Sequence, residues 1–230
     1  MNETLEAPNT KKNILREDNC KYCSDLLNQN KNNSHLPWNT ILFETENFVV
    51  VPTLGSLVEG WILIVPKDHY ICMGAMPKSL WPELLGVKNY FNNILTDLYG
   101  PITLFEHGPH KKKLSIGCGI DHAHLHLVPL NFNLLSKATN ESEILGNTWS
   151  KLPSLEQTAD LYNNNLSYIY IEDPNSSPYC CTLDSAPCQL LRKLIAKEIG
   201  IESQYDYKEY EFKNNVVSTI EKVKSALDNY

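Results

Sequence analysis

Apolar residues first gather at Ile41-Leu42-Phe43, then at Phe48-Val49-Val50-Val51 and at Trp61-Ile62-Leu63-Ile64-Val65. These short β-rich runs are punctuated by Pro52, Gly55, Gly60 and Pro66, a pattern that predicts successive antiparallel strands. From Leu80 the period lengthens. Leu84, Val87, Phe91, Ile94 or Leu95, and Leu98 fall on one face of a helix that Gly100 would end. Two further strands are predicted around Thr103-Leu104-Phe105 and from His122 to Val128. A second helix is expected at Cys188 to Ile199, where Leu190, Leu191, Leu194, Ile195 and Ile199 form an apolar stripe closed by Gly200, and a third at Asn215 to Leu227. No repeat recurs at a solenoid period. The whole reads as α+β: a flexible N-terminal segment at 1–18, a domain at 19–130 with a surface loop between Asn28 and Asn33, and an extension at 131–230 that packs on the same domain.

Composition narrows the class. A chain of 230 residues with 42% apolar and 20% charged residues buries a real core and is not disordered. Its longest apolar run is the five residues Trp61 to Val65, far short of the roughly 20 that a membrane helix needs. The net charge of −7 argues against general nucleic-acid binding. The polar start of the chain shows no signal peptide, which predicts a cytoplasmic protein. Seven cysteines make a disulfide framework a poor explanation and favour metal ligation or buried thiols.

The informative segment is Gly117-Cys118-Gly119-Ile120-Asp121-His122-Ala123-His124-Leu125-His126-Leu127-Val128-Pro129. In a strand, side chains alternate, so His122, His124 and His126 would share one face, roughly 6.5–7 Å apart, with Ala123, Leu125 and Leu127 packed behind. Such a row suits attack on phosphorus. A neutral central imidazole is a nucleophile, and its neighbours with nearby N–H groups hold the phosphoryl oxygens. Structural histidines and a metal site remain as readings of the row.

These residues resemble the histidine triad (HIT) superfamily of nucleotide hydrolases and transferases, whose motif is His-φ-His-φ-His-φ-φ. The resemblance spans about Cys20 to Pro129 and includes Glu59-Gly60-Trp61-Ile62-Leu63-Ile64-Val65-Pro66-Lys67-Asp68-His69 and Phe105-Glu106-His107-Gly108. It implies a HIT-like antiparallel sheet with flanking helices, to which we expect a C-terminal α/β extension to be added. It also implies His124 as nucleophile with His122 and His126 beside it, a nucleotide substrate and a homodimer. His at the third triad position is the hydrolase form in this superfamily; Gln there marks the phosphorylase and uridylyltransferase branches. Two positions depart: Trp61 stands where many members carry a fourth histidine, and Gly119 where a serine usually helps the leaving group.

Cys20-Lys21-Tyr22-Cys23 is a Cys-x2-Cys pair, weak by itself because a structural zinc needs four ligands. Zinc-containing HIT-like proteins carry such a pair here, and the resemblance adds His69 and His122 as the remaining ligands of a closed, structural Zn2+ site. Glu106, Gly119, Gln189 and Arg192 are the candidate substrate-binding residues, Gln189 and Arg192 lying one turn apart on the second predicted helix. Alternation along the strand turns His107 away from Glu106, so His107 is read as structural. Three rival readings accompany the hydrolase. One is a nucleotidyltransferase or phosphorylase on the same fold, another an enzyme whose His row binds iron or manganese with Glu106, and the third a nucleotide-binding protein without turnover.

Overall fold

The β-rich runs pair as the pattern predicts, and each predicted helix forms within a few residues of its expected span. The computed structural model describes residues 15–17, 19–27, 36–112, 120–141, 144, 146–185 and 188–229. Strands β1 (Phe43–Glu44), β2 (Phe48–Pro52), β3 (Ile62–Pro66), β4 (Ile102–Gly108), β5 (Leu125–Pro129), β6 (Trp149–Lys151), β7 (Tyr168–Glu172) and β8 (Tyr179–Thr182) form one sheet in the order β1-β2-β3-β5-β4-β7-β8-β6. Every neighbouring pair is antiparallel.

β2 and β3 are buried along their whole length because both faces of the sheet are covered. Val50, Ile62 and Ile64 join Leu104, Leu125 and Leu127 under α1 (Trp81–Tyr99), which contributes Trp81, Leu84, Val87, Phe91 and Leu95. Each such side chain contributes about 2 kcal/mol by leaving water. On the opposite face Val49, Val51, Leu63 and Val65 pack with Leu26 of a π-helical turn, Tyr22–Leu27. Further along that face Trp61, Phe105, Ile169 and Ile171 pack with Leu134 of α2 (Leu134–Thr139) and with Leu190, Leu191, Leu194 and Ile195 of α4 (Leu190–Glu198). The intervening α3 (Thr158–Asn163) is short, and α5 (Lys213–Leu227) returns so that the Thr219 hydroxyl accepts from the Gly60 N–H at 2.8 Å.

The extension joins the sheet: β7 pairs antiparallel with β4 over five residues, so one sheet runs across position 130. Asp173, just after β7, accepts from the Thr103 hydroxyl and from the N–H groups of Leu134 and Leu135, tying α2 to that seam. Near the chain start, Leu15 bonds to the residues that follow β3. The Leu15 N–H donates to Asp68 at 3.0 Å, and the Leu15 carbonyl accepts from the His69 N–H at 2.9 Å. Residues 1–14 and the Asn28–Asn33 loop lie outside the described residues.

Candidate functional site

Directly opposed residues of an antiparallel sheet share a face. The pairings Val51 with Leu63, Leu63 with His126, His126 with Phe105 and Phe105 with Ile171 therefore set one row across four adjoining pairs of strands, on the face away from α1. Over this row, between the π-helical turn and α4, opens a cavity of about 310 Å³. Tyr22, Trp38 and Leu54 line one side of it, His107, His124 and His126 the floor, and Gln189, Arg192 and Tyr207 the other side.

The three triad histidines do not lie on one strand, which corrects the expected geometry. β5 begins at Leu125, so only His126 stands in the ladder. Before it the backbone bonds elsewhere, the Ala123 N–H to the Tyr70 carbonyl at 2.6 Å and the His122 N–H to the Ile120 carbonyl at 2.8 Å. Each ring consequently finds its own partner. His122 Nε2 meets the Pro66 carbonyl at 2.9 Å, His124 Nδ1 meets the His122 carbonyl at 2.6 Å, and His126 Nδ1 meets the Trp61 indole N–H at 3.0 Å.

A carbonyl only accepts and an indole only donates, so these contacts fix the tautomers. His124 carries its proton on Nδ1 and keeps a lone pair on Nε2. His126 has its lone pair on Nδ1 and presents Nε2–H, its ring stacked on Phe105 at 4.3 Å and 15°. Burial disfavours the imidazolium. It lowers the pKa of His124, against the pull of the His122 carbonyl, and pushes that of His126 well down with help from the charges of His124, His107 and Arg192.

The donor set for a metal is assembled beside this cavity. Ligand atoms of Cys20, Cys23, His69 and His122 all lie within 4.8 Å of one another. His122 Nδ1 is 3.5 Å from Cys20 Sγ and 3.6 Å from Cys23 Sγ, and His69 Nδ1 is 3.5 Å from Cys23 Sγ. Each ring of this set turns its other nitrogen away from the sulfurs, His122 Nε2 to the Pro66 carbonyl, and His69 Nε2 to within 2.8 Å of the Glu17 carboxylate without hydrogen-bond geometry. That is the arrangement that leaves Nδ1 free to bind a metal and orients it. Two thiols and two imidazoles at this spacing fit a tetrahedral zinc with no position left for water. Tyr22, inside the Cys-x2-Cys pair, sets its ring edge-on to both His122 and His124 at 5.6 and 5.7 Å, so the metal loop is also cavity wall.

Glu106 is corrected by the register. With Phe105 opposite His126, the next side chain along β4 points through the sheet. Glu106 is buried there, accepting from the Met73 N–H at 2.6 Å and the Tyr168 hydroxyl at 2.7 Å. His107, read as structural, is instead the residue beside Phe105 that reaches the cavity. Its Nε2 has no hydrogen-bond partner among the described residues, and burial pushes its pKa down to about 4. Only the pairing register could have found it. The same geometry removes the iron or manganese reading, because Glu106 is on the other face and His122, His124 and His126 turn to three separate partners.

Gln189 and Arg192 reach the cavity wall, and both also form hydrogen bonds within the protein. Gln189 precedes α4 with a left-handed backbone (φ 56°) and donates to Asp206 at 2.9 Å. Arg192 donates to the carbonyls of Tyr205 and Gly55 and lies over the Trp61 ring, 5.0 Å from its centroid. Both are therefore cavity wall and scaffold at once. Gly119 lies outside the described residues. Cys72, Cys180 and Cys181 are free, buried thiols, as expected of the cysteines outside the metal cluster, while Cys188 is exposed.

No helix among the described residues is long and apolar enough to cross a membrane. No curated protein matches the chain. Among solved structures, a HIT family hydrolase from Clostridium thermocellum is 21% identical, with 51% of this chain and 96% of that one covered at a TM-score of 0.39. A HIT-like protein involved in cell-cycle regulation from Bartonella henselae is 13% identical (66% and 98% covered, TM-score 0.40). A zinc-bound histidine triad family protein from Mycobacterium smegmatis is 16% identical (60% and 89% covered, TM-score 0.34). The family model described as "Protein similar to CwfJ C-terminal" matches residues 7–142, more than half of the chain, from ahead of the Cys-x2-Cys pair to beyond the triad. The chain belongs to that family.

Proposed function

We propose that the protein is a nucleotide hydrolase in which His124 is the nucleophile. The observation that carries this reading is the 2.6 Å contact between His124 Nδ1 and the His122 carbonyl, which leaves the Nε2 lone pair on a ring lining the cavity. The lone pair forms an N–P bond while the P–O bond to the leaving group breaks, its electron pair departing with the oxygen. The ring becomes cationic in the intermediate, and the carbonyl stabilises it through Nδ1–H. Water then attacks phosphorus, the N–P bond breaks back onto Nε2, and the proton of water passes to solvent. His126 Nε2–H holds a phosphoryl oxygen meanwhile.

Zinc on Cys20, Cys23, His69 and His122 is structural in this reading: it supplies a cross-link between the chain start and the approach to β5. A homodimer, as the resemblance implies, completes the proposal.

The test is to incubate the zinc-loaded protein with a panel of dinucleoside polyphosphates and nucleoside phosphoramidates and to search by mass spectrometry for an acid-labile nucleotidyl adduct. The adduct is expected on His124, and His124→Ala is expected to lose about three orders of magnitude in turnover. A variant that keeps the full rate overturns the proposal. Phosphate-dependent release of nucleoside diphosphate in place of nucleoside monophosphate identifies a phosphorylase instead.

A further inference from the structure

His126 is held more completely than a nucleophile's neighbour needs to be, and the manner of holding restricts the substrate. The Trp61 indole has a single polar hydrogen, and at 3.0 Å it occupies His126 Nδ1. Trp61 is fully buried. Its ring is held edge-on to Phe105 at 5.8 Å, and on another side it meets the Arg192 guanidinium. Arg192 is itself fixed by the Gly55 and Tyr205 carbonyls, so the indole has no room to release the imidazole. The ring of His126 is closed between this donor and the stacked Phe105.

We infer that Trp61, clamped by Arg192, is a positioning residue that locks His126 as a neutral hydrogen-bond donor, and that the site therefore takes a phosphoanhydride rather than a phosphoramidate. The inference rests on the His124 reading and deepens it. A neutral imidazole whose Nδ1 already accepts a hydrogen bond has one proton, on Nε2. Giving that proton to a leaving group would leave an imidazolate, an unfavourable product at neutral pH. His126 thus steadies charge on a phosphoryl oxygen without transferring a proton. Burial and the neighbouring Arg192 charge act in the same direction, against an imidazolium that would have a proton to spare.

The consequence falls on the leaving group. When the P–O bond of an anhydride breaks, the electron pair stays on an oxygen of a phosphate, a stable anion that departs without a proton. When the P–N bond of a phosphoramidate breaks, the departing amine needs a proton as the bond opens, and His126 has none to give. General acid catalysis is commonly worth about 100-fold or more, so its absence penalises the amine by that factor.

The test has two arms on the zinc-loaded full chain. Long-range 15N–1H correlation of histidine-labelled protein at pH 7 is expected to show His126 with hydrogen on Nε2 and an unprotonated Nδ1; Trp61→Phe is expected to convert it to a mixture of tautomers. Hydrogen on Nδ1 in the wild type, or a charged ring, overturns the lock whatever the activity, and the wild-type spectrum decides this even if the variant does not fold. In the second arm, kcat/KM of the wild type is compared for diadenosine tetraphosphate and for an adenosine phosphoramidate of an alkylamine. The anhydride is expected to lead by about 100-fold or more, and equal or faster turnover of the phosphoramidate overturns the substrate assignment. If neither is cleaved while the spectrum is as stated, the nucleotide reading falls and takes the substrate assignment with it, whereas a wrong tautomer with an adduct on His124 removes only the present inference.

Discussion

The Glu106 carboxyl, enclosed with the Met73 N–H and the Tyr168 hydroxyl, has its pKa raised by burial to about 7, against 4.5 for an unperturbed glutamate, while its two hydrogen bonds pull the other way. Between those values the folded protein holds the proton and the unfolded chain does not, so stability contributed by this group is present below about pH 4.5 and lost as pH rises through 7. Glu106→Gln keeps the shape and removes the titration. Relative to wild type it is expected to gain about 3 kcal/mol between pH 4 and pH 8 in urea unfolding; a constant difference across that range would place the carboxyl in water. One residue on, His107 points to the cavity with Nε2 unpartnered among the described residues. Alternation told that the two neighbours face opposite ways. Which of them faces the site depends on Phe105 standing opposite His126, and that pairing is not written in either strand.

At the scale of elements, the β2–β3 turn and the 205–211 segment are built against each other. Gly55 adopts φ +69°, and a Cβ there would come within 2.5 Å of Tyr207 Cβ and 2.8 Å of its Cα. The Gly55 N–H donates to the Glu211 carbonyl at 3.1 Å, while its own carbonyl receives Arg192. Gly55→Ala therefore faces both a disfavoured backbone and a clash with main chain, and is expected to cost about 2 kcal/mol or more. It is also expected to weaken nucleotide binding by displacing Tyr207 from the cavity wall. Equilibrium unfolding and a binding titration on the same variant check both. The helix periods at α1, α4 and α5 were legible because each buries one stripe on a sheet. The strands of the extension were less so: Tyr168-Ile169-Tyr170-Ile171 is buried on both sides and shows no alternation to read.

For the whole molecule, the four metal donors tie together three distant stretches of chain. Cys20 and Cys23 sit at the start, His69 follows β3, and His122 precedes β5, with Cys20 and His122 separated by 102 positions. A zinc bound there cross-links the π-helical turn to the sheet and holds Tyr22 at the cavity. Stripping the metal with a chelator is expected to lower Tm by roughly 10 °C or more, the equivalent of about 4 kcal/mol or more in a chain of this size. Restoring zinc is expected to restore it, and a melting curve indifferent to chelation would remove the cross-link.

The sequence alone determined the α+β class, the order of the first strands and α1, and the chemistry available: three alternating imidazoles and a Cys-x2-Cys pair declare themselves through spacing, which is a local property. Tertiary structure decided which imidazole does what. His122 turned to sulfur, His124 to its own backbone and His126 to an indole 65 positions away, and a tautomer is set by the partner a ring meets rather than by its neighbours in the chain. It also decided that the extension is part of the sheet and a wall of the site, because strand pairing is a contact between segments and leaves no mark in either one.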